Sequence, residues 1–122
     1  MGKKILIVDD EPEIPAALRL VFEALGYRVE VCSSGLEVME TLRSFKPDLM
    51  VMDVMLPGID GYSLAAKISD DAEFSGLPLI VMSSLEASKC MFERFPQVIS
   101  YFAKPFSPGD LAEAVKAAFA KK

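Results

Sequence analysis

The segment Asp48-Leu49-Met50-Val51-Met52-Asp53 is apolar at every position between its two aspartates. A strand with one wet face alternates polar and apolar residues. An unbroken apolar run instead suits a strand covered on both faces, as in a parallel sheet flanked by helices. Lys4-Ile5-Leu6-Ile7-Val8-Asp9 has the same character, and Leu79-Ile80-Val81-Met82 repeats it. Between the first two runs the period changes. Ile14, Leu18, Val21 and Leu25 recur at helical spacing, and the stretch ends at Gly26.

The alternation continues along the chain. Tyr27 to Cys32 reads as a second strand. Ser34 caps a helix bearing Leu36, Met39 and Leu42, which stops before Pro47. A loop marked by Pro57-Gly58 leads to a third helix that starts near Gly61 and carries Leu64 and Ile68. A short fourth helix is expected within 83–95, then a fifth strand over Val98 to Phe102. Ser107-Pro108-Gly109-Asp110 supplies a cap, a proline at the first helical position and a carboxylate at the positive end. Leu111, Val115, Ala118 and Phe119 form the buried stripe of that last helix. Five β/α units with right-handed crossovers predict an α/β fold, a three-layer doubly wound sandwich spanning residues 1–122 as one domain.

Composition excludes several classes of protein. Hydrophobic residues make up 52% and charged residues 25%, which provides a core and rules out a disordered chain. No apolar run approaches the ~20 residues needed to span a bilayer. Asp9-Asp10-Glu11 directly follows the first strand, so no signal peptide leads the chain, and a cytoplasmic location with no membrane partner is expected. The net charge is −5, and Lys pairs occur only as the flanks Lys3-Lys4 and Lys121-Lys122. No direct nucleic-acid partner is therefore expected. Cys32 and Cys90 lie far apart, and the chain has no His. That excludes Ser-His-Asp and Cys-His catalysis and a phosphohistidine carrier, makes a zinc site implausible, and leaves the cysteines as free thiols.

The remaining chemistry sits where polar residues interrupt the apolar strands. Strand one ends in Asp9-Asp10, strand three in Asp53 and strand four in Ser83-Ser84, and Lys104-Pro105 follows strand five. All are carboxyl ends, so a parallel sheet gathers them at one edge. Taken singly, Asp10 is a helix cap, Asp53 a turn residue, Ser83 a loop start and Lys104 a solvated lysine. Taken together, those readings do not account for opposite charges at the ends of four strands. Clustered carboxylates are costly without a cation. A divalent ion with oxygen ligands relieves that cost, and Mg2+ suits one or two carboxylates with water and phosphate.

Four motifs then carry a resemblance. Ile5-Leu6-Ile7-Val8-Asp9-Asp10-Glu11, Met52-Asp53-Val54-Met55-Leu56-Pro57-Gly58-Ile59-Asp60-Gly61, Pro78-Leu79-Ile80-Val81-Met82-Ser83-Ser84 and Tyr101-Phe102-Ala103-Lys104-Pro105-Phe106 resemble the receiver domain of response regulators, of the chemotaxis-type single-domain kind. The resemblance covers essentially the whole chain. It implies a flavodoxin-like fold with a five-stranded parallel sheet in the order 2-1-3-4-5. It implies a phosphoacceptor in a His-Asp phosphorelay, a signalling protein and not an enzyme in the ordinary sense, although it assists its own phosphoryl transfer and dephosphorylation. Asp53 then matches the residue phosphorylated by a sensor histidine kinase or phosphotransfer protein. Asp10 and Asp53 match direct ligands of Mg2+, joined by the backbone carbonyl of Met55, with Asp9 acting through a water. Lys104 and Ser83 match the groups that bind the phosphoryl oxygens, and Tyr101 matches a switching aromatic. Met55 and Leu85 stand at the positions that tune dephosphorylation. The output partner is unspecified, and the domain is expected as a monomer or weak dimer through the face of the fourth helix, fifth strand and fifth helix.

The chain departs from the family pattern in places. Ser83 replaces the more frequent Thr and keeps the hydroxyl, and Ser84 replaces the frequent Ala. Phe95-Pro96-Gln97-Val98-Ile99-Ser100 stands where a Gly-Ala pair is common, and Pro96 is expected to shorten the fourth helix. Pro15 falls in the first turn of the first helix, where its missing amide has no helical partner. A flavin carrier needs a Ser/Thr- and Gly-rich loop after strand one, where this chain has acids. A dehalogenase-type phosphatase needs Asp-x-Asp, where this chain has Asp53-Val54-Met55, and a dinucleotide site needs GxGxxG. The alternative that remains is a receiver-like interaction module that is never phosphorylated.

Overall fold

The three-dimensional structure is a computed structural model, and it describes residues 2–56, 58–83, 92 and 95–120. Its elements are β1 (Lys4–Val8), α1 (Glu13–Ala24), β2 (Arg28–Cys32), a 3-10 turn (Gly35–Glu37) leading into α2 (Val38–Phe45), β3 (Leu49–Asp53), α3 (Gly61–Asp70), β4 (Leu79–Ser83), β5 (Val98–Ala103) and α4 (Pro108–Ala120). The five strands form one sheet in the order β2-β1-β3-β4-β5. Every neighbouring pair is parallel. Of the stretch expected to hold a fourth helix, residues 84–91, 93 and 94 lie outside the described residues, among them Ser84, Leu85 and Cys90, as does Pro57.

Each central strand feeds two cores, which explains its unbroken apolar sequence. Leu6, Val8, Met50, Met52, Leu79 and Val81 meet Val38 and Leu42 of α2 and Leu64 and Ile68 of α3. Ile5, Ile7, Leu49, Val51, Ile80 and Met82 meet Leu18 and Phe22 of α1 and Leu111 and Val115 of α4. The period-2 alternation of strand side chains thus splits one apolar run between two helical layers. Placing α1 and α4 on one face and α2 and α3 on the other is what right-handed crossovers produce when the chain reverses direction across the sheet.

The helix ends follow local chemistry. Ser34 accepts a hydrogen bond from the Leu36 amide at 3.1 Å, so the cap read from sequence opens the 3-10 turn before α2. Gly26 has φ +91°, a conformation that lets the chain turn sharply from α1 into β2. The buried stripe of α1 differs from the expected one. Phe22 is fully buried and Pro15 is buried, whereas Leu25 is 44% exposed. The helix ends at Ala24, so Leu25 caps it and points away from the sheet, and the stripe runs Pro15–Leu18–Phe22 instead. Among the described residues no helix is long and apolar enough to cross a membrane.

Candidate functional site

Register places the polar residues. Val8 pairs with Met52, and Asp53 pairs with Met82. Ser83 pairs with Ala103, and the Lys104 amide donates to the Ser83 carbonyl at 2.8 Å. The Asp9 amide donates to the Cys32 carbonyl at 3.0 Å, continuing the ladder past β1. Asp9, Asp53, Ser83 and Lys104 thus come together at the carboxyl edge. Asp10 stands beside them, exposed. The sheet order reverses between β1 and β3, and doubly wound folds place their ligands at that point.

The Lys104 ammonium is the hub. It lies 2.8 Å from Asp53 Oδ2, 3.1 Å from Glu11 Oε1 and 3.2 Å from Asp9 Oδ2. Asp9 Oδ1 accepts the Glu11 amide at 2.9 Å, and Asp53 Oδ1 accepts the Met55 amide at 3.2 Å. Ser83 is buried, and so are Asp9 and Asp53, an unusual state for carboxylates unless they are paired. Carboxylate oxygens of Asp9, Asp10 and Asp53 all lie within 4.8 Å of one another. An open cleft of about 620 Å³ reaches them, lined by Asp10, Glu11, Ile14, Asp53, Met55, Lys104 and Pro105.

The electrostatics follow from this crowding. Burial pushes the Asp9 carboxyl above its ordinary range, and repulsion from Asp53 adds to the effect, although the Glu11 amide and Lys104 oppose it. Burial works to lower the Lys104 ammonium, but its hydrogen bonds to Asp53 and Glu11 outweigh burial and hold it above the ordinary lysine value. One cation therefore contacts three carboxylates, and Asp10 adds a fourth to the cluster. That set of hard oxygen donors, short of positive charge, is the donor chemistry that suits Mg2+.

Three residues that shape the site were not assigned a role in it from sequence. Asp60 caps α3, accepting the Ser63 amide at 2.8 Å and the Ser63 hydroxyl at 3.1 Å. Gly61 lets α3 start against the end of β3: its amide donates to Val54 O at 2.7 Å, and an added Cβ would lie 2.7 Å from Val54 Cα and 2.9 Å from Asp53 O. Glu11 is the third addition. It stands inside the quoted acidic motif, and its side chain meets Lys104 from the bend between β1 and α1. Tyr101 sits on β5, half-buried, with its ring 6.5 Å from that of the buried Phe92. It packs against the core shared with α2 and α3. Met55 is exposed at the cleft. Leu85 lies outside the described residues.

Fold and site together define a doubly wound α/β domain with an acidic, lysine-anchored pocket at its switch point. The chain belongs to the response regulator receiver domain family, whose model matches residues 5–116, and it is thereby a receiver domain of two-component signalling, a signalling phosphoacceptor by family. The alkaline phosphatase synthesis transcriptional regulatory protein PhoP of Bacillus subtilis is 35% identical over 124 residues, covering 96% of this chain and 48% of PhoP. The chain spans about half the length of the curated relatives it matches. A chain from Chloroflexus aurantiacus assigned as a response regulator superposes with TM-score 0.90 at 32% identity, over 98% of this chain and 99% of that one. Response regulator TrrA from Thermotoga maritima, solved in complex with Mg2+-BeF, superposes with TM-score 0.82 at 27% identity, over 94% and 97%. Because PhoP is named as a transcriptional regulator, the expectation that nucleic acid is no partner finds no support among these relatives.

Proposed function

We propose that Asp53 accepts a phosphoryl group from the phosphohistidine of a sensor histidine kinase or phosphotransfer protein in the cytoplasm, and that the modified domain changes its affinity for an output partner. The observation that carries this reading is the Lys104 ammonium 2.8 Å from Asp53 Oδ2, inside a cluster of three carboxylates within 4.8 Å of one another. An Asp53 carboxylate oxygen attacks phosphorus, the P–N bond to the imidazole breaks, and the imidazole leaves. The reverse of signalling is hydrolysis, in which water attacks phosphorus and the Asp53 carboxylate departs.

Phosphoryl transfer asks a protein mainly for alignment and charge stabilisation. Asp10, Asp53 and the Met55 carbonyl would hold Mg2+ directly and Asp9 through a water, and the ion would neutralise charge on the transferring group. Burial and the Asp53 charge both raise the Asp9 pKa, and a cation beside the cluster would relieve both effects. Lys104 binds a phosphoryl oxygen, and Ser83 donates its hydroxyl to another. Movement of Ser83 then frees space for Tyr101, a local charge change with a distant readout. Met55 and Leu85 limit water entry and so set the lifetime. Output runs through the face of β5, α4 and the segment between β4 and β5, where Ile99 is exposed, and the domain works as a monomer or weak dimer.

Beryllofluoride, which mimics a phosphoryl group, tests the reading. With Mg2+, fluorine NMR is expected to show a bound resonance that disappears in Asp53→Asn. No bound resonance in the wild-type chain would instead support an interaction module independent of phosphorylation.

A further inference from the structure

An ammonium group carries three N–H donors and no acceptor. Those of Lys104 face three carboxylate oxygens, from Asp53, Glu11 and Asp9. Any further acceptor must displace one of them. The three are not equally free to leave. The Asp9 side chain is fully buried and its other oxygen is fixed by the Glu11 amide, so losing Lys104 would strand a buried charge. Asp53 Oδ2 belongs to the group that becomes modified. The Glu11 side chain is 58% exposed at the rim of the cleft and can return to water on release.

We infer that Glu11 is a positioning residue whose carboxylate holds the Lys104 ammonium in the unmodified domain, in the place a phosphoryl oxygen takes on modification. The inference rests on the reading of Asp53 as phosphoacceptor. Glu11 keeps Lys104 over the cleft before transfer and competes with the phosphoryl group afterwards, so it lowers the affinity of the site for that group. An exposed pair of this kind shifts an equilibrium by about fivefold at most.

Two variants separate contact from charge. Glu11→Gln removes the charge. Glu11→Asp keeps it on a side chain one methylene shorter, which falls short of Lys104. With Mg2+ present, beryllofluoride titrated by fluorine NMR is expected to bind both variants about two- to fivefold more tightly than wild type. In the Mg2+-free protein, the Lys104 ammonium nitrogen resonance is expected to move in the same direction in both variants, which a role confined to starting α1 would not produce. Tightening in Glu11→Gln alone, with Glu11→Asp matching wild type, would assign the effect to charge and overturn the contact. Equal affinity in all three proteins, or an unmoved Lys104 resonance, would overturn it too. Failure of the wild-type chain to bind beryllofluoride at all would overturn the phosphoacceptor reading, and this inference with it.

Discussion

Lys104 meets carboxylates from three parts of the chain: Asp9 after β1, Glu11 at the entry to α1 and Asp53 at the end of β3. Its own side chain is only 12% exposed, so Coulomb attraction and burial oppose each other here, and attraction wins. Replacing it, as in Lys104→Met, leaves Asp9 and Asp53 buried without a counter-charge. We expect a loss of about 1–3 kcal/mol in Mg2+-free urea unfolding, below the figure for a sealed pair because the cleft admits water. Unchanged stability would contradict the hub role. The pH dependence has a definite sign. The folded pKa of Lys104 lies above its ordinary 10.5, so its contribution is complete below that value and fades only as pH rises through the higher folded one. Asp9 acts oppositely. Its pKa is raised above 3.8, so the charged form burdens the fold at neutral pH and the burden eases as pH falls through the raised value toward 3.8. Asp9, Asp10, Asp53 and Lys104 were legible in the sequence because each breaks an apolar run at a strand end. Glu11 was not, because its role depends on how the bend between β1 and α1 brings to Lys104 a side chain that sequence alone would leave in water.

The junction of β3 and α3 shows how an element serves the site. Gly61 sits where a Cβ would meet backbone atoms of Val54 and Asp53, neither of which can swing aside. Gly61→Ala is expected to lower stability by about 1–3 kcal/mol. It should also weaken beryllofluoride binding, because the strain falls on Asp53 itself. A variant with wild-type stability and binding would show that the junction yields easily. Helix existence was legible from periodicity, and so was the start of α3 near Gly61. The buried face of α1 was harder to read. Val21 and Phe22 are adjacent and both fit a helical stripe, and only docking against Ile5, Ile7 and α4 selects Phe22. Leu25 satisfied the period yet lies past the last turn.

On the scale of the whole molecule, layer sidedness follows from alternation plus handedness, whereas the strand order was implied by the resemblance to receiver domains and is the order found. The unbroken runs announced burial on both faces, but not which residue meets which helix pair, since that needs the register. A domain that gathers Asp9, Asp10 and Asp53 at one edge should respond to a divalent cation globally. Mg2+ at about ten times its Kd is expected to add about 1.4 kcal/mol to stability. For a chain of this size that raises Tm by roughly 3–6 °C. Differential scanning calorimetry in MgCl2 against NaCl of equal ionic strength would show it, and Asp10→Asn should abolish it. An equal rise in NaCl would mean general screening. The most direct test of the central claim is the site of modification itself. The chain is incubated with Mg2+ and a small acyl-phosphate donor, and the product is mapped by tandem mass spectrometry. The account predicts one phosphoryl group, on Asp53, absent without Mg2+ and absent in Asp53→Asn. A phosphoryl group on another residue, or none on the wild-type chain under these conditions, would contradict it.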